Sequence, residues 1–167
     1  MNFIKKASYG IAVSLLLAGC VTNQPALPIE QRSAFIVMKT PVLRYADQGF
    51  IKKMPKRTKV EIYSNGAAVM KLEIAGGKVC SGNGLFSCMS QSVFNQKYLS
   101  PYYPADTLEK LFRGEKIFSG KNLVPIAGGF KQKITQKDHY DINYTVLKGS
   151  TVFHDTIANI LIKIKDN

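Results

Sequence analysis

Alternation of apolar and polar residues is the sequence feature that most restricts how this chain can fold. Residues 59–63 alternate, and Asn65-Gly66, the pair most typical of a two-residue hairpin turn, follows them. After this turn, apolar residues occupy every second position: Ala68, Met70, Leu72 and Ile74. The positions between them are Val69, Lys71 and Glu73. Because successive side chains of a strand point to opposite faces, the pattern predicts an antiparallel hairpin with one buried and one wet face.

Further strand-like segments precede and follow this hairpin. Residues 35–38 form an apolar segment before Pro41, and residues 42–45 and 50–53 flank a turn-like stretch at residues 46–49. Residues 78–81 and 85–88 flank Gly82-Asn83-Gly84. Two more apolar series alternate in the C-terminal third: Tyr140, Ile142, Tyr144 and Val146, then Ile160, Ile162 and Ile164. We expect an antiparallel meander, with a glycine-punctuated irregular connection after residue 114.

Two short helices are predicted in the middle of the chain. Residues 91–99 form the first. Residues 104–113 form the second, because Pro104 suits a first turn, Asp106 lies near the positive end and Gly114 follows the last residue. Leu108, Leu111 and Phe112 share one face of this helix. The fold class expected is therefore α+β and mainly β, with one or two short helices covering an antiparallel sheet.

The first twenty residues have the parts of an export signal in the right order. Lys5 and Lys6 precede an uncharged run, residues 7–18, which is too short to span a bilayer but fits a secretory signal peptide. The sequence Leu17-Ala18-Gly19-Cys20 resembles the lipobox of bacterial lipoproteins. This resemblance implies cleavage after Gly19, diacylglycerol on the sulfur of Cys20, and an acyl group on the new amino terminus. The alternative is an ordinary secretory signal with a chance cysteine.

Three parts are expected along the chain. Residues 1–19 are the signal peptide, residues 20–33 a lipidated tether without periodicity, and residues 34–167 a single domain. Val21 follows Cys20. An Asp at this position would indicate retention in the inner membrane of enteric bacteria, so Val21 favours the outer membrane, with the protein facing the periplasm.

Cys80 and Cys88 remain once Cys20 is acylated. In an oxidising compartment, a disulfide between them is the default expectation, and the loop-entropy account gives it roughly 2–3 kcal/mol of stabilisation. A metal site would need further ligands, and the two histidines, His139 and His154, are distant in sequence. We interpret the two histidines as surface or structural residues, so no metal is expected.

The formal net charge of +12 suggests an anionic partner. An exported lipoprotein does not routinely meet nucleic acid, so acidic lipid head groups or lipopolysaccharide phosphates are the better candidates. The alternative is a solvated, Lys-rich surface, and in sequence the charges are scattered. No nucleophile motif, phosphate loop, dinucleotide-binding glycine pattern or metal signature occurs. The sequence therefore predicts that the protein is not an enzyme.

The order of parts resembles the LolA/LolB class of periplasmic lipoprotein-sorting proteins: lipid anchor, tether, β-meander, a helix between Pro104 and Gly114, and alternating strands. The most similar segments are residues 103–114 and 140–144. The resemblance implies an incomplete β-barrel, that is, a strongly curved antiparallel sheet covered by helices, with an apolar cavity for acyl chains. Since Cys20 would carry an anchor, the LolB-type receptor is the closer parallel.

The resemblance also implies two candidate sites. For lipid binding, Met70, Leu72 and Ile74 would form a wall of the cavity, and Leu108, Leu111 and Phe112 its lid. The alternative for these six is a filled core beneath a helix. For membrane delivery, Leu85 and Phe86 would form an exposed insertion loop between Cys80 and Cys88, unless they fold back onto the sheet.

Two function hypotheses follow. The first is a lipid-anchored acceptor of acyl chains or lipoproteins, partnered by a membrane and a LolA-like carrier, with no cofactor beyond the lipid on Cys20. The second is a structural or interaction lipoprotein that binds lipopolysaccharide, peptidoglycan or an envelope protein through a basic surface. Salt would separate them, since binding through surface charge weakens with ionic strength and acyl-chain capture barely changes.

Overall fold

The computed structural model describes residues 29–82 and 87–167. They form eleven strands, two α-helices and one 3-10 turn. The strands are β1 Glu30–Lys39, β2 Arg44–Met54, β3 Arg57–Ser64, β4 Ala67–Ala75, β5 Lys78–Ser81, β6 Ser87–Ser90, β7 Leu123–Ile126, β8 Gly129–Gln136, β9 Tyr140–Leu147, β10 Ser150–Asp155 and β11 Ile160–Asp166. The helices are α1 Gln91–Tyr98 and α2 Thr107–Arg113, and the 3-10 turn is Phe118–Gly120.

All described strands belong to one antiparallel sheet in the order β6-β5-β4-β3-β2-β1-β11-β10-β9-β8-β7. Strands that follow one another in the chain are neighbours, except β6 and β7, and the first and last strands, β1 and β11, pair in the middle of the sheet. Strands β6 and β7 are the two edges, so the sheet does not close into a barrel. The predicted fold class, a mainly β, open, curved antiparallel sheet covered by short helices, is confirmed.

The core lies between the helices and one face of the sheet, which we call the inner face. Register places alternate residues of each strand there: Ala34 and Ile36 of β1 pair with Gly49 and Asp47 of β2, and Ile36 also pairs with Ile164 of β11. Ile36 and Ile164 are fully buried. The helices contribute Phe94, Leu108, Leu111 and Phe112 to the same core. The opposite face of the sheet, the outer face, is open to solvent.

The turn predicted at residues 46–49 is wrong, because these residues lie inside the 11-residue strand β2. Every residue of β2 from Arg44 to Lys53 has a partner on β1, and this continuous pairing outweighs the turn propensity of the local sequence. Gly49 has a packing role instead. A β-carbon there would lie 2.3 Å from the carbonyl oxygen of Glu61 and 2.8 Å from Cδ1 of Ile36.

The irregular connection predicted after residue 114 is also wrong in part. Strands β7 and β8 form a hairpin there, with Gly128 in the turn at a φ of 77°. A β-carbon on Gly129 would lie 1.9 Å from the carbonyl oxygen of Val146, so this glycine allows β8 to approach β9. The sequence pattern predicts no strand at residues 150–155, where the structure has β10.

Two predicted boundaries shift. Strand β1 begins at Glu30, so residues 30–33 belong to the sheet, and the prediction that the tether extends to residue 33 is wrong for these four positions. Helix α2 begins at Thr107 rather than Pro104. It ends as predicted, with Gly114 in the left-handed conformation at a φ of 67°. Residues 1–19, Cys20 and the rest of the predicted tether lie outside the described residues.

The predicted disulfide between Cys80 and Cys88 is confirmed. The two cysteines are directly opposite each other on β5 and β6, with their Cα atoms 4.0 Å apart. Among the described residues, no helix has the length and apolar character required to cross a bilayer.

Candidate functional site

An apolar pocket opens between helix α1 and the inner face of the sheet. Its volume is about 240 Å³, and it lies where strands β2, β4 and β5 approach the helix. The residues that line it are Leu43, Tyr45, Val69, Met70, Lys71, Leu72, Ser81, Gly82, Phe94 and Tyr98. Apolar and aromatic side chains predominate; Lys71 is the charged residue of the set, but strand register places its side chain on the outer face, opposite Glu61. Such a lining suits an apolar ligand.

Helix α1 is held firmly enough to act as a fixed wall of this pocket. The Ser90 hydroxyl accepts a hydrogen bond of 3.2 Å from the backbone N–H of Val93 and so caps the first turn. The side-chain amide of Asn95 donates to the carbonyl of Pro104 at 2.9 Å, which ties α1 to the segment before α2. Gln91 donates to Glu109 of α2 at 3.2 Å. These bonds position Phe94 and Tyr98, whose ring centroids are 4.7 Å apart.

Only two of the six predicted lipid-binding residues line this pocket. Met70 and Leu72 do so, with 7% and 4% of their surface exposed. The other four have no exposed surface and belong to the packed core: Ile74, Leu108, Leu111 and Phe112. Helix α2 therefore packs as part of the core instead of forming a lid over open space. The structure brings the six residues into one core, but the pocket lies beside α1.

Eight of the ten pocket residues are absent from the predicted lipid-binding set, and four of these eight have large apolar or aromatic side chains that come from outside strands β4 and β5. Phe94 and Tyr98 are four positions apart on α1 and so share a helix face, a signal that was available. Leu43 and Tyr45 follow Pro41, where the sequence predicts only a strand segment. Their role depends on the packing of this segment near Met70 and Leu72, which local sequence does not reveal.

The predicted insertion-loop residues, Leu85 and Phe86, lie outside the described residues. The residues on their N-terminal side are described. Ser81 and Gly82 line the pocket, and the Cys80–Cys88 disulfide joins the two strands that lead to the loop. The described residues that precede Leu85 and Phe86 in the chain thus lie beside the pocket.

A second cluster, unrelated to the pocket, is built around the buried carboxylate of Asp155. Its Oδ1 accepts hydrogen bonds from the backbone N–H groups of Asp141, Ile157 and Ala158, at 3.0, 2.9 and 3.2 Å. Its Oδ2 accepts from the hydroxyl of Tyr103, which lies between the two helices. Each oxygen is therefore occupied by donors of the protein itself, and the cluster joins the helical layer to the β10–β11 turn. The role of Asp155 is therefore to stabilise the fold.

The two histidines are far from any metal-binding arrangement. The ring of His139 stacks on Tyr102, with centroids 3.8 Å apart, and His154 is an exposed residue of β10. Within residues 29–82 and 87–167, no group of three or more His, Cys, Asp or Glu side chains is placed to hold a metal ion.

Two buried tyrosines should make the protein sensitive to alkaline pH. Burial, then the hydrogen bond to Asp155 and its charge, raise the pKa of Tyr103 well above 10.0. Burial and the nearby charge of Glu115 raise the pKa of Tyr144 in the same direction. Above pH 10 the unfolded chain releases these protons while the folded chain keeps them. The stabilisation is therefore complete below pH 10 and is lost as the pH rises further.

We expect the free energy of unfolding to fall by up to about 1.4 kcal/mol per pH unit for each of these tyrosines above pH 10. Urea unfolding at a series of alkaline pH values, followed by tyrosinate absorbance, measures this slope. In the variant Tyr144→Phe the slope should decrease by up to about 1.4 kcal/mol per pH unit. A slope that does not change on this substitution would contradict the assignment.

Comparison of the chain with models of known protein families gives no match, and comparison with curated proteins gives none either.

Proposed function

We propose that this protein is a lipid-anchored, non-enzymatic component of the bacterial cell envelope that binds acyl chains. In this proposal Cys20 carries the anchor, the outer membrane is the location, and the partners are lipoproteins or the acyl chains of lipids, delivered by a LolA-like carrier. The protein then acts as a LolB-like acceptor. It requires no cofactor, since the apolar ligand is bound without chemical change.

The observation that carries the proposal is the apolar pocket beside α1. Its walls combine a capped helix with strands of a curved sheet, and Met70 contributes a side chain that can adapt to a flexible ligand. Its volume of about 240 Å³ is below the range of roughly 300–1,000 Å³ that encloses a whole small molecule. A single acyl chain with one end outside the pocket fits this size better than a compact ligand does.

The position of Gly82 supports delivery at a membrane. Gly82 is both a pocket residue and the last described residue before the segment that contains Leu85 and Phe86. An apolar side chain that enters lipid contributes roughly 1.5–3 kcal/mol. In this proposal Leu85 and Phe86 enter the lipid, and an acyl chain passes from the pocket beside Gly82 into the bilayer.

Filling the pocket should reduce acyl-chain binding. Leu43 lines the pocket and is partly exposed, so we expect Leu43→Trp to occupy part of its volume and to lower the affinity for a fatty acid at least tenfold. Since the chain contains no Trp, quenching of this residue by a brominated fatty acid also reports whether ligand reaches the site. Mass spectrometry of lipid that co-purifies with the natural chain identifies the ligand.

The matched control is Val42→Trp. Val42 precedes Leu43, is 61% exposed and does not line the pocket, so the same added bulk should leave the affinity unchanged. Equal affinities for both variants and the natural chain would show that acyl chains do not bind in this pocket.

A further inference from the structure

On the outer face of four central strands, β2, β1, β11 and β10, the fold collects basic residues that are scattered in the sequence, all of them on β2, β1 and β11. Strand register places five of them there: Lys39, Arg44, Lys52, Lys163 and Lys165. Together with the exposed rings of Phe35 and Phe50, these five residues form what we call the basic outer patch. Phe35 and Phe50 are each 40% exposed. Phe35 lies opposite Lys165 of β11, whereas Phe50 lies opposite Ser33 of β1 and Glu61 of β3.

The same register places every carboxylate of these four strands on the inner face. They are Glu30, Asp47, Asp155 and Asp166. Two of them neutralise inner-face cations: Asp166 pairs with Arg32 at 2.8 Å, and Glu30 pairs with Lys53 at 2.9 Å. None of the five basic residues of the patch forms an ion pair with a described residue. The two faces of the central sheet therefore differ in charge.

One pair within the patch is unfavourable without an external anion. Lys39 and Arg44 are directly opposite each other on β1 and β2, and like charges in that position destabilise a sheet. Both line a shallow hollow of about 290 Å³ together with Val37, Tyr45 and Ala46. A phosphate group placed between the two cations would remove the repulsion and gain two charge-assisted contacts.

We propose that the basic outer patch docks on the surface of a bilayer that contains anionic phospholipids. Cations attract the phosphates, and the phenyl rings of Phe35 and Phe50 suit the interfacial region, where aromatic side chains accumulate. An acidic protein would match the charge but gives no reason for exposed rings between the lysines. If Cys20 carries the anchor, eight residues lie between it and Ile29, which directly precedes β1, and a maximum reach of about 30 Å keeps the patch near the membrane.

A tryptophan reporter tests this directly, because the chain has no Trp of its own. The variant Phe35→Trp of the full chain, isolated as the cell processes it, is added to phosphatidylcholine vesicles with or without phosphatidylglycerol. We expect a blue-shifted emission, and quenching by brominated lipid, only with the anionic vesicles and only at low salt. The control Tyr102→Trp, at a 52% exposed position between the helices, should show neither effect.

Charge variants of this reporter separate the patch from net charge. Lys163→Gln with Lys165→Gln should weaken docking roughly 30-fold. Lys116→Gln with Lys121→Gln removes the same charge from the connection between α2 and β7 and should change docking little. All four sites are exposed, so unfolding midpoints should stay equal.

Equal quenching with and without phosphatidylglycerol, or equal losses in the two double variants, would overturn the proposal. The salt dependence of the reporter decides the question even if a charge variant folds poorly. Since the reporter lies on the face opposite the pocket, its result is independent of whether the pocket binds acyl chains.

Discussion

Replacing Phe112 with Ala is expected to lower the free energy of unfolding by about 3–5 kcal/mol. Phe112 is on α2, has no exposed surface, and belongs to the core shared by the helices and the inner face of the sheet. Truncation to Ala removes the buried ring and leaves a cavity that rigid strands on several sides cannot close. Urea unfolding of the full chain and of the variant measures the difference.

This substitution also separates the two interpretations of α2. If Phe112 were a movable lid over an acyl-chain cavity, the variant would bind lipid differently while its stability changed little. The control Val93→Ala removes an apolar side chain that is 48% exposed on α1, and it should cost less than about 0.5 kcal/mol. A loss below 1 kcal/mol for Phe112→Ala would mean that α2 does not pack as described.

Features that depend on a few neighbouring residues could be predicted from the sequence. The hairpin turn at Asn65-Gly66 has φ values of 50° and 79°, as a turn of this type requires, because only those two residues determine it. The end of α2 at Gly114 is similar, since a left-handed residue there is favoured by glycine itself. The alternation in β4, β9 and β11 also survives, because one face of each strand is buried.

Features that depend on a distant strand could not be predicted. Residues 46–49 contain Asp47 and Gly49, which locally favour a turn, yet pairing with β1 extends β2 through them. Gly49 illustrates the difference. From sequence it marks a break, whereas in the sheet it is the residue whose lack of a side chain lets β2 lie against the carbonyl of Glu61.

The surfaces that could bind a partner are non-local for the same reason. Lys163 and Lys165 reach the same face as Phe35 only because the last strand pairs with the first, more than a hundred residues away in sequence. In the linear sequence these charges are scattered, and no window reveals a cluster. Similarly, the pocket depends on Leu43 and Phe94, which come from the β1–β2 connection and from helix α1.

The second large effect is expected for Asp155→Ala, which should cost about 2–4 kcal/mol. This carboxylate is fully buried, and its removal leaves the buried hydroxyl of Tyr103 and the part-buried N–H groups of Asp141, Ile157 and Ala158 without their acceptor. A buried polar group that loses its partner costs roughly 1–3 kcal/mol, and the part-buried N–H groups cost less because water can reach them. Because the cluster joins β9, the β10–β11 turn and the segment between the helices, its loss should loosen both layers.

The variant Asp155→Asn distinguishes hydrogen bonding from charge as the source of this stability. All three backbone donors share Oδ1, so an amide oxygen in the same place keeps them, while the amide nitrogen can donate to the Tyr103 oxygen. We therefore expect Asn to cost less than half as much as Ala in urea unfolding. If Asn and Ala cost the same, the negative charge itself stabilises the turn, and the three N–H bonds contribute little beyond it.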